Sequence, residues 1–367
     1  MSPSREQSIG LVLAGGHALG AYQGGAYEAL HTRGYAPDLI SGASIGAVNA
    51  AIIAGNSPER RLDRLQEFWE QAALGTIGLA PSDGKLREFY NTAHSIQSIT
   101  FGRLGLFAPA TLANSTLRGD AGGSSALYDH RPLASTLERV VDFDRLNRAE
   151  VPLMVATVDM ETGEPVVYDT RRHKLEPLHF LASTGLVPAY SAVEVDGRCL
   201  GDPGLSSNLP LDAMLDPLPA SDLVCFAVDL FDARGERPRS LASSIERAQD
   251  VLFATQSLRS LEARRREQRL RTIIGALADA LPPERRRELS SLAAEARASE
   301  LTVALIAYRA PAHESSLKTM DYSRASITER WTAGREDMTA ALDHLEKGGT
   351  QEREHGFRFL DGRRTLG

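Results

Sequence analysis

Cysteine and tryptophan are scarce in this 367-residue sequence, with two of each. Two cysteines, Cys199 and Cys225, cannot build a disulfide framework, so we expect both to be reduced residues of the core. No apolar run approaches the roughly 20 residues that a membrane-spanning helix needs. The first residues are polar, and the apolar run after them leads straight into Gly15 and Gly16 rather than to a cleavage site. We therefore expect a cytoplasmic protein.

The sequence also lacks an excess of positive charge. Its 41 Lys and Arg stand against 48 Asp and Glu, a net charge of −7, which argues against a nucleic-acid partner. An anionic lipid surface also repels such a chain weakly, unless basic residues are clustered locally. Hydrophobic residues make up 42% and charged residues 24% of the chain, the composition of a globular protein with a sizeable core.

Short apolar strands and small-residue helices alternate in the first part of the chain, a pattern that predicts a parallel sheet. We predict strands at residues 8–14, 38–41, 151–158, 165–169, 223–230 and 302–308, with a hairpin over 193–200 around Asp196-Gly197. We predict helices at residues 20–33, 44–54, 57–73, 240–272, 283–299 and 323–346. The expected fold is one α/β domain, a mostly parallel sheet flanked by helices. A helical C-terminal extension follows it, with one strand returning to the sheet.

The pattern Gly-x-Ser-x-Gly occurs at residues 42–46, between a short strand and a small-residue helix. In this arrangement the serine lies on a tight strand-to-helix turn and its hydroxyl projects above the sheet. The N-terminus of the following helix also favours developing negative charge. Ser44 is therefore a candidate nucleophile. The simpler interpretation, that Ser44 only caps a helix, does not require both glycines.

A second glycine-rich turn, residues 15–20, follows the first predicted strand. Consecutive free amides at a helix N-terminus bind anions. The favoured interpretation is an oxyanion hole that serves Ser44. A dinucleotide phosphate loop is an alternative, because Asp38 has the spacing of a ribose-binding acid, although His17 replaces the middle glycine of that motif. The third interpretation is a loop that only packs the helix.

A serine nucleophile needs a base, which is a histidine or a carboxylate. Asp202 lies on a glycine-rich turn after the predicted hairpin, and Pro203 restricts it to an extended backbone. A structural Asx-type turn explains the same residues equally well. His313 would follow Asp202 in the residue order of the α/β-hydrolases, but it lies in a polar stretch. No pattern of His or Cys residues suggests a metal site.

Taken together and in this order, the three motifs resemble those of the patatin-like phospholipase family, over residues 8–215. Residues 21–30 resemble the helix after the glycine loop in bacterial members, and residues 321–326 resemble the extension of a bacterial subgroup. The resemblance implies a three-layer α/β/α acyl hydrolase domain at 8–215 and a C-terminal extension at 216–367.

The resemblance also implies the chemistry of the site. Ser44 and Asp202 would form a catalytic dyad without histidine, and the amides of Gly15, Gly16 and His17 would form the oxyanion hole. The implied substrate is a lipid or fatty-acyl ester, with transient contact to a membrane surface. No cofactor, no metal and no nucleic acid are expected.

Three positions depart from the family pattern. His17 stands where the family has a third loop glycine, Leu19 where a basic residue is common, and Pro203 where a glycine follows the dyad aspartate. The departures concern head-group preference and oxyanion geometry rather than the dyad. Besides a serine lipid acyl hydrolase, a catalytically weak binding or scaffold protein and a nucleotide-binding oxidoreductase therefore stay open as hypotheses.

Two further stretches leave their interpretation open. We predict a partly ordered insertion at residues 75–130. Its apolar residues either form an acyl groove or a lid, or they belong to the core. These residues are Ile99, Phe101, Leu104, Leu106 and Phe107. A cluster of arginines either contacts lipid head groups or pairs with Glu262 and Glu267 on a solvated helix face, and we favour the second interpretation. The cluster comprises Arg264, Arg265, Arg266, Arg269 and Arg271.

Overall fold

The structure is a computed structural model that describes residues 7–73, 75, 80–110, 126–216, 221–290, 299–347 and 356–362. Within these residues nine strands form one sheet, in the order β11-β10-β9-β1-β2-β5-β8-β7, with β6 beside β5. A separate pair is formed by β3 and β4. The strands are β1 (Ser8–Leu13), β2 (Leu39–Ala43), β3 (Ala108–Pro109), β4 (Tyr128–Asp129), β5 (Leu153–Asp159), β6 (Pro165–Asp169), β7 (Val193–Val195), β8 (Arg198–Gly201), β9 (Leu223–Asp229), β10 (Leu301–Ala307) and β11 (Phe357–Asp361).

Helices cover both faces of the sheet. The described helices are α1 (Ala21–Thr32), α2 (Ile45–Ala54), α3 (Arg61–Ala72), α4 (Gly84–Phe101), α5 (Pro132–Val140), α6 (Phe143–Asn147), α7 (Pro177–Thr184), α8 (Leu211–Leu215), α9 (Leu241–Asp279), α10 (Pro283–Glu288) and α11 (Arg324–Glu346). Single turns of 3₁₀ helix occur at His17–Gly20, Pro203–Leu205 and Lys318–Met320.

The centre of the sheet is parallel, as the alternation of strands and helices predicts. From β11 through β10, β9, β1 and β2 to β5, each neighbouring pair is parallel. Every residue of β5 and β9 is buried, because helices cover both faces of the sheet. The carboxyl ends of these strands therefore lie at one edge, where ligands bind in open α/β sheets. The predicted mostly parallel sheet flanked by helices is confirmed.

The C-terminal region is built into the same sheet. The strand expected at residues 302–308 is β10, and it pairs with β9. One edge strand, β11, was not predicted, because its alternate polar residues give only a weak apolar pattern. The last helix, α11, packs on α1 so closely that a Cβ atom on Gly334 would lie 1.9 Å from the carbonyl oxygen of Tyr22. The domain boundary at residue 215 stays a prediction.

One long helix contradicts the expectation for residues 75–130. Helix α4 was missed because its periodicity is inverted: the side chains that it buries are polar and several that it exposes are apolar. The buried set comprises Arg87, Asn91, His94, Ser95 and Ser98, and the exposed set comprises Leu86, Phe89, Ile96 and Phe101. A pattern search that places apolar residues inside cannot find such a helix. The rest of that stretch, residues 76–79 and 111–125, lies outside the described residues.

Smaller predictions have mixed outcomes. The hairpin turn at Asp196-Gly197 is confirmed, with positive φ at both residues. Both cysteines are free, and Cys225 is buried, whereas Cys199 is only half-buried. Of the helix expected at 283–299, α10 is described and residues 291–298 are not. Among the described helices, none combines the length and the apolar character needed to cross a bilayer.

Candidate active site

Ser44 lies on the turn between β2 and α2, in a backbone conformation that L-residues rarely adopt. Its φ and ψ are 53° and −125°. The flanking glycines are required by contacts with backbone. A Cβ atom on Gly42 would lie 2.6 Å from the Cα atom of Ala47, and one on Gly46 would lie 2.2 Å from the carbonyl oxygen of Leu13. The Gly-x-Ser-x-Gly segment therefore forms the sharp, strained turn that its sequence predicts.

A buried serine on a different element holds this turn in place. The Ser44 amide donates to Ser183 Oγ at 2.9 Å, and the Ser183 hydroxyl donates to the carbonyl oxygen of Ala156 at 2.7 Å. Ser183 lies at the end of α7 and is fully buried. Sequence analysis missed this residue, because no local motif marks it.

Asp202 reaches Ser44 because β2 and β8 lie in line along the same side of β5. The last residue of β2, Ala43, is in register with Ala156, and Gly201 at the end of β8 is in register with Val158. The strands β2 and β8 run in opposite directions relative to β5, so their carboxyl ends point towards each other. The residues that follow these strands, Ser44 and Asp202, therefore meet.

The Asp202 carboxyl is buried and serves two partners. Its Oδ1 accepts a hydrogen bond from the Gly204 amide at 2.8 Å, so the Asx turn forms. Burial raises the pKa of Asp202 to about 6, against the opposing influence of hydrogen bonds from the Ser44 hydroxyl and the Gly204 amide. The carboxylate is thus ionised at neutral pH and is a stronger base than an exposed aspartate. An Asx turn at Asp202 is therefore compatible with the interpretation of this residue as a base.

The glycine turn lies beside Ser44 at the end of β1. The Gly15 amide donates to the carbonyl oxygen of Asn208 at 3.1 Å, so it is not free to bind an oxyanion in this structure. For the Gly16 and His17 amides, no hydrogen-bond acceptor lies among the described residues. Of the three amides expected to bind an oxyanion, those of Gly16 and His17 can therefore donate to a ligand in this structure. His17 has a φ of 51°, the left-handed conformation in which the family glycine fits without strain.

The His17 side chain packs against an aromatic ring. Its ring stacks on Tyr190, with the centroids 5.7 Å apart and the planes at 25°. Burial lowers the pKa of His17 to about 4, so the ring is neutral at neutral pH. Phe107, one of the apolar residues of the insertion, also packs against the Tyr190 ring.

Two polar side chains from the helices fix both ends of the glycine turn. Gln23 of α1 donates to the carbonyl oxygen of Ala14 at 2.8 Å, just before the turn. Asn49 of α2 donates to the carbonyl oxygen of Gly20 at 2.9 Å, just after it, and also to the side chain of Gln23. These buried hydrogen bonds hold the turn rigidly, as a preorganised donor site requires.

The C-terminal region also reaches the glycine turn. The fully buried guanidinium of Arg330 pairs with Glu314 at 3.0 Å. It also donates to the carbonyl oxygens of Ala18 at 3.3 Å, Asp321 at 2.7 Å and Lys318 at 3.0 Å. This single side chain therefore connects α11 to both the glycine turn and the 3₁₀ turn at Lys318–Met320.

A narrow cleft, open to solvent, lies over these groups. Its floor is Ser44, Asp202 and the glycine turn, and its apolar walls include Phe231 and Phe253. The full lining is Gly15, Gly16, His17, Ser44, Leu186, Asp202, Gly204, Asn208, Phe231, Gln249, Phe253 and Thr319. The contributions of α9 and of Thr319 were not foreseen from the sequence.

The remaining residues that the sequence singled out lie elsewhere. Asp38 accepts a hydrogen bond from the Ile9 amide at 2.7 Å. It directly precedes β2, so it lies at the edge of the sheet opposite the glycine turn, which follows the parallel strand β1. His313 pairs with Glu329, and Leu19 is fully buried. Pro203 has no backbone N–H. It begins a turn in which the Gly204 amide donates a hydrogen bond to Asp202.

The apolar residues of the insertion do not line the cleft. Leu106 and Phe107 are buried in the core, whereas Phe101 and Leu104 are exposed. The core interpretation therefore fits two of them. In the arginine cluster, the favoured interpretation fits Arg266, which pairs with Glu262, and Arg271, which pairs with Glu267. Arg264 is largely buried and pairs with Asp212 and Asp216 as well as with Glu267.

Comparison with known proteins identifies the chain by family. A model of the patatin-like phospholipase family matches residues 11–215, which is more than half of the chain. A second model, also described as patatin phospholipase, matches residues 251–354. No curated protein sequence gives a significant match.

Several solved structures are similar at low identity. VipD from Legionella pneumophila and human GIVD cytosolic phospholipase A2 each match with a TM-score of 0.42 and 13% identity over 93% of this chain. The chain covers 67% and 60% of those two chains, respectively. The ExoU–SpcU complex of the Pseudomonas aeruginosa type III secretion system matches with a TM-score of 0.28 and 17% identity, over 95% of this chain and 65% of that one.

The family assignment rests on the two sequence models, and the predicted resemblance is confirmed. At the level of the family, the activity is that of a lipid hydrolase. This chain belongs to the patatin-like phospholipase family.

Proposed function

We propose that the chain is a serine lipid acyl hydrolase that uses Ser44 as nucleophile and Asp202 as base. One observation carries the proposal: a serine on a strained turn and a buried carboxyl with a raised pKa meet at the carboxyl edge of the sheet. Burial and position of this kind are typical of catalytic groups rather than of helix caps.

In the first half of the reaction, Ser44 Oγ attacks the ester carbonyl carbon and Asp202 takes the hydroxyl proton. The carbonyl oxygen becomes negative, and the amides of Gly16 and His17 donate to it. Each such donor is worth about 10²–10³ in rate when it is fixed beforehand. Collapse of the intermediate expels the alcohol, which receives the proton from Asp202, and leaves an acyl-Ser44 ester.

In the second half, water replaces the alcohol. Asp202 takes a proton from the water, and the hydroxide oxygen attacks the acyl carbonyl. The same two amides stabilise the new oxyanion, and its collapse returns Ser44 as the leaving group, which regains the proton. The cycle releases a fatty acid and needs neither a cofactor nor a histidine.

Hydrolysis of p-nitrophenyl esters from acetyl to palmitoyl tests the proposal. Wild type is compared with Ser44→Ala and with Ser206→Ala, an exposed serine on the loop after Asp202. We expect activity that disappears with Ser44→Ala and persists with Ser206→Ala. Equal activity in the Ser44→Ala variant would exclude the proposed nucleophile. Inactivity of the folded wild type on every ester would favour the binding or scaffold protein instead.

A further inference from the structure

Helix α9 contributes one polar side chain to the loop that carries Asp202. The side-chain nitrogen of Gln256, Nε2, donates to the carbonyl oxygen of Gly204 at 3.3 Å. The side-chain oxygen, Oε1, accepts a hydrogen bond from the Asn208 amide at 3.0 Å. A single side-chain amide, which carries both a donor and an acceptor, therefore holds this loop at two points.

The first of these contacts acts on the turn at Asp202. The Gly204 amide donates to Asp202 Oδ1 at 2.8 Å, and this hydrogen bond opposes the effect of burial on the pKa of the carboxyl. Gln256 binds the carbonyl group of the same glycine, so loss of this contact would let Gly204 turn away from the carboxylate. Gln256 therefore supports both the orientation and the ionisation of Asp202.

The second contact acts on the glycine turn through Asn208, which is buried. The carbonyl oxygen of Asn208 accepts a hydrogen bond from the Gly15 amide, and the Asn208 side chain donates to the carbonyl oxygen of Gly15, each at 3.1 Å. The next two residues, Gly16 and His17, carry the amides proposed to bind the oxyanion. A displacement of Asn208 would therefore move the donors that the reaction needs in a fixed position.

Gln256 acts on these groups from outside the cleft. Gln249 and Phe253, about two turns and one turn earlier in α9, line the cleft, whereas Gln256 is not among its described lining residues. Gln256 also lies in the segment that the second family model matches, beyond the first match, which contains Ser44 and Asp202. A change at Gln256 should therefore alter the positions of the reacting groups more than the binding of substrate.

We propose that Gln256 is a positioning residue for ester hydrolysis, which holds the Asp202 turn directly and the glycine turn through Asn208. Removal of its side-chain amide releases the base and the oxyanion donors together. A displacement of about 1 Å in such groups costs about 10² in rate. The inference rests on the proposed function, because it gives the C-terminal region a part in the same reaction.

Kinetics of Gln256→Met test the inference, because methionine has a similar length and lacks the amide. On a soluble short-chain p-nitrophenyl ester, we expect kcat to fall about tenfold or more, with KM little changed. We also expect the decrease of kcat/KM at acid pH to begin at a higher pH than in wild type. The reason is that the hydrogen bond from Gly204, which lowers the pKa of Asp202, is weakened.

The matched control is Gln268→Met, on the same helix. The Gln268 side chain donates to the backbone carbonyl oxygens of Ser299 and Gly356 at 2.7 and 3.4 Å, away from the cleft. We expect this variant to lose stability in urea unfolding, as Gln256→Met does, and to keep the kcat and the pH profile of wild type. An unchanged kcat and pH profile in Gln256→Met, or an equal loss of kcat in Gln268→Met, would overturn the inference.

Urea unfolding measures the same coupling without catalysis. The part of the pH dependence of the unfolding free energy that Asp202→Asn removes belongs to this carboxyl. A further rise in the pKa of folded Asp202 should make that part larger in Gln256→Met and extend it to higher pH, and an unchanged pH dependence would contradict the contact between Gln256 and the Asp202 turn. Coupling of this kind in a wild type without esterase activity would contradict the proposed function and support the positioning of Asp202 by Gln256.

Discussion

Asp202 shows how burial strengthens the basicity of a carboxylate in the candidate site. An ordinary aspartate has a pKa of about 3.9 and takes a proton poorly. Burial raises the pKa of Asp202 to about 6, which increases its basicity while it stays ionised at neutral pH. The neighbouring His17 is neutral because burial lowers its pKa to about 4. The ionisation that controls activity is therefore expected to belong to the carboxyl.

The first prediction concerns the pH dependence of hydrolysis. Since the free enzyme must hold Asp202 ionised, kcat/KM should fall about tenfold per pH unit below pH 6 and be level above it. A soluble short-chain ester measured from pH 4.5 to 8 gives this profile, and His17→Gln should leave it unchanged. A value of kcat/KM that stays level from pH 8 down to pH 5 would exclude Asp202 as the base. A decrease at acid pH that disappears in His17→Gln would exclude it too.

The second prediction concerns stability. The pKa of Asp202 in the folded chain is raised to about 6, so ionisation of this carboxyl favours the unfolded state. The resulting loss of folding free energy is absent below about pH 4 and complete above about pH 6. Asp202→Asn should therefore abolish turnover while raising the free energy of unfolding at pH 8 by up to about 3 kcal/mol. Urea unfolding at pH 4.5 and pH 8 measures the difference. A variant destabilised at pH 8 would contradict the assigned burial cost.

At the residue scale, sequence alone predicted the motifs but not the distant residues whose hydrogen bonds hold them in place. Ser44 and Asp202 each lie in a local pattern that chemistry explains. Ser183 and Asn208, in contrast, act through tertiary contacts with distant backbone, and no short motif marks them. The hydrogen bond from the Gly15 amide to the Asn208 carbonyl oxygen could not be predicted for the same reason, because the two residues are 193 positions apart in the sequence.

The β2–Ser44–α2 unit shows how glycine permits close packing at the scale of elements. The third prediction is that Gly46→Ala lowers the free energy of unfolding by about 1–3 kcal/mol or more and abolishes ester hydrolysis, because its Cβ would meet two backbone carbonyl oxygens, at 2.2 and 2.6 Å. Gly235→Ala is the control, since the atoms nearest to its Cβ belong to the Arg247 side chain rather than to backbone. Thermal unfolding and ester assays measure both. Full activity in Gly46→Ala would contradict the tight-turn geometry.

Elements were predictable where apolar residues face inward and not where the pattern is inverted. The strands β1, β5, β9 and β10 are short apolar runs and were found. Helix α4 buries polar side chains such as Arg87 and Asn91, which bind each other and the loops around them. Because these side chains are buried by polar contacts, some of them with residues as distant in the sequence as His313, the helix cannot be inferred from its own periodicity.

At the scale of the whole molecule, the C-terminal region shares the central sheet with the rest of the chain and contributes residues to the candidate site. It adds β9, β10 and β11 to the sheet, contributes Thr319 to the cleft, and sends Arg330 to the glycine turn. The sequence predicted the returning strand β10. It did not predict the strand order or the contact of α11 with α1, because these depend on long-range packing.

The fourth prediction separates the structural and positioning roles of Arg330. Arg330→Met leaves the buried Glu314 with the Tyr308 hydroxyl but without its ion-pair partner, so the free energy of unfolding should fall by about 3–5 kcal/mol. Arg330→Met/Glu314→Met should recover much of that stability, yet kcat should stay low with KM little changed, because the Ala18 carbonyl is no longer held. Urea unfolding and soluble-ester kinetics measure both. Full recovery of kcat in the double variant would show that Arg330 acts only on stability.

Mapping the site of a covalent adduct tests the central claim most directly. Wild type, Ser44→Ala and Asp202→Asn are treated with an alkyl fluorophosphonate, digested and analysed by mass spectrometry. The account predicts a single adduct on Ser44, no adduct in Ser44→Ala, and labelling slowed by about 10² or more in Asp202→Asn, because proton removal from Ser44 is lost. An adduct on another residue, or labelling of Ser44→Ala at the wild-type rate, would contradict it.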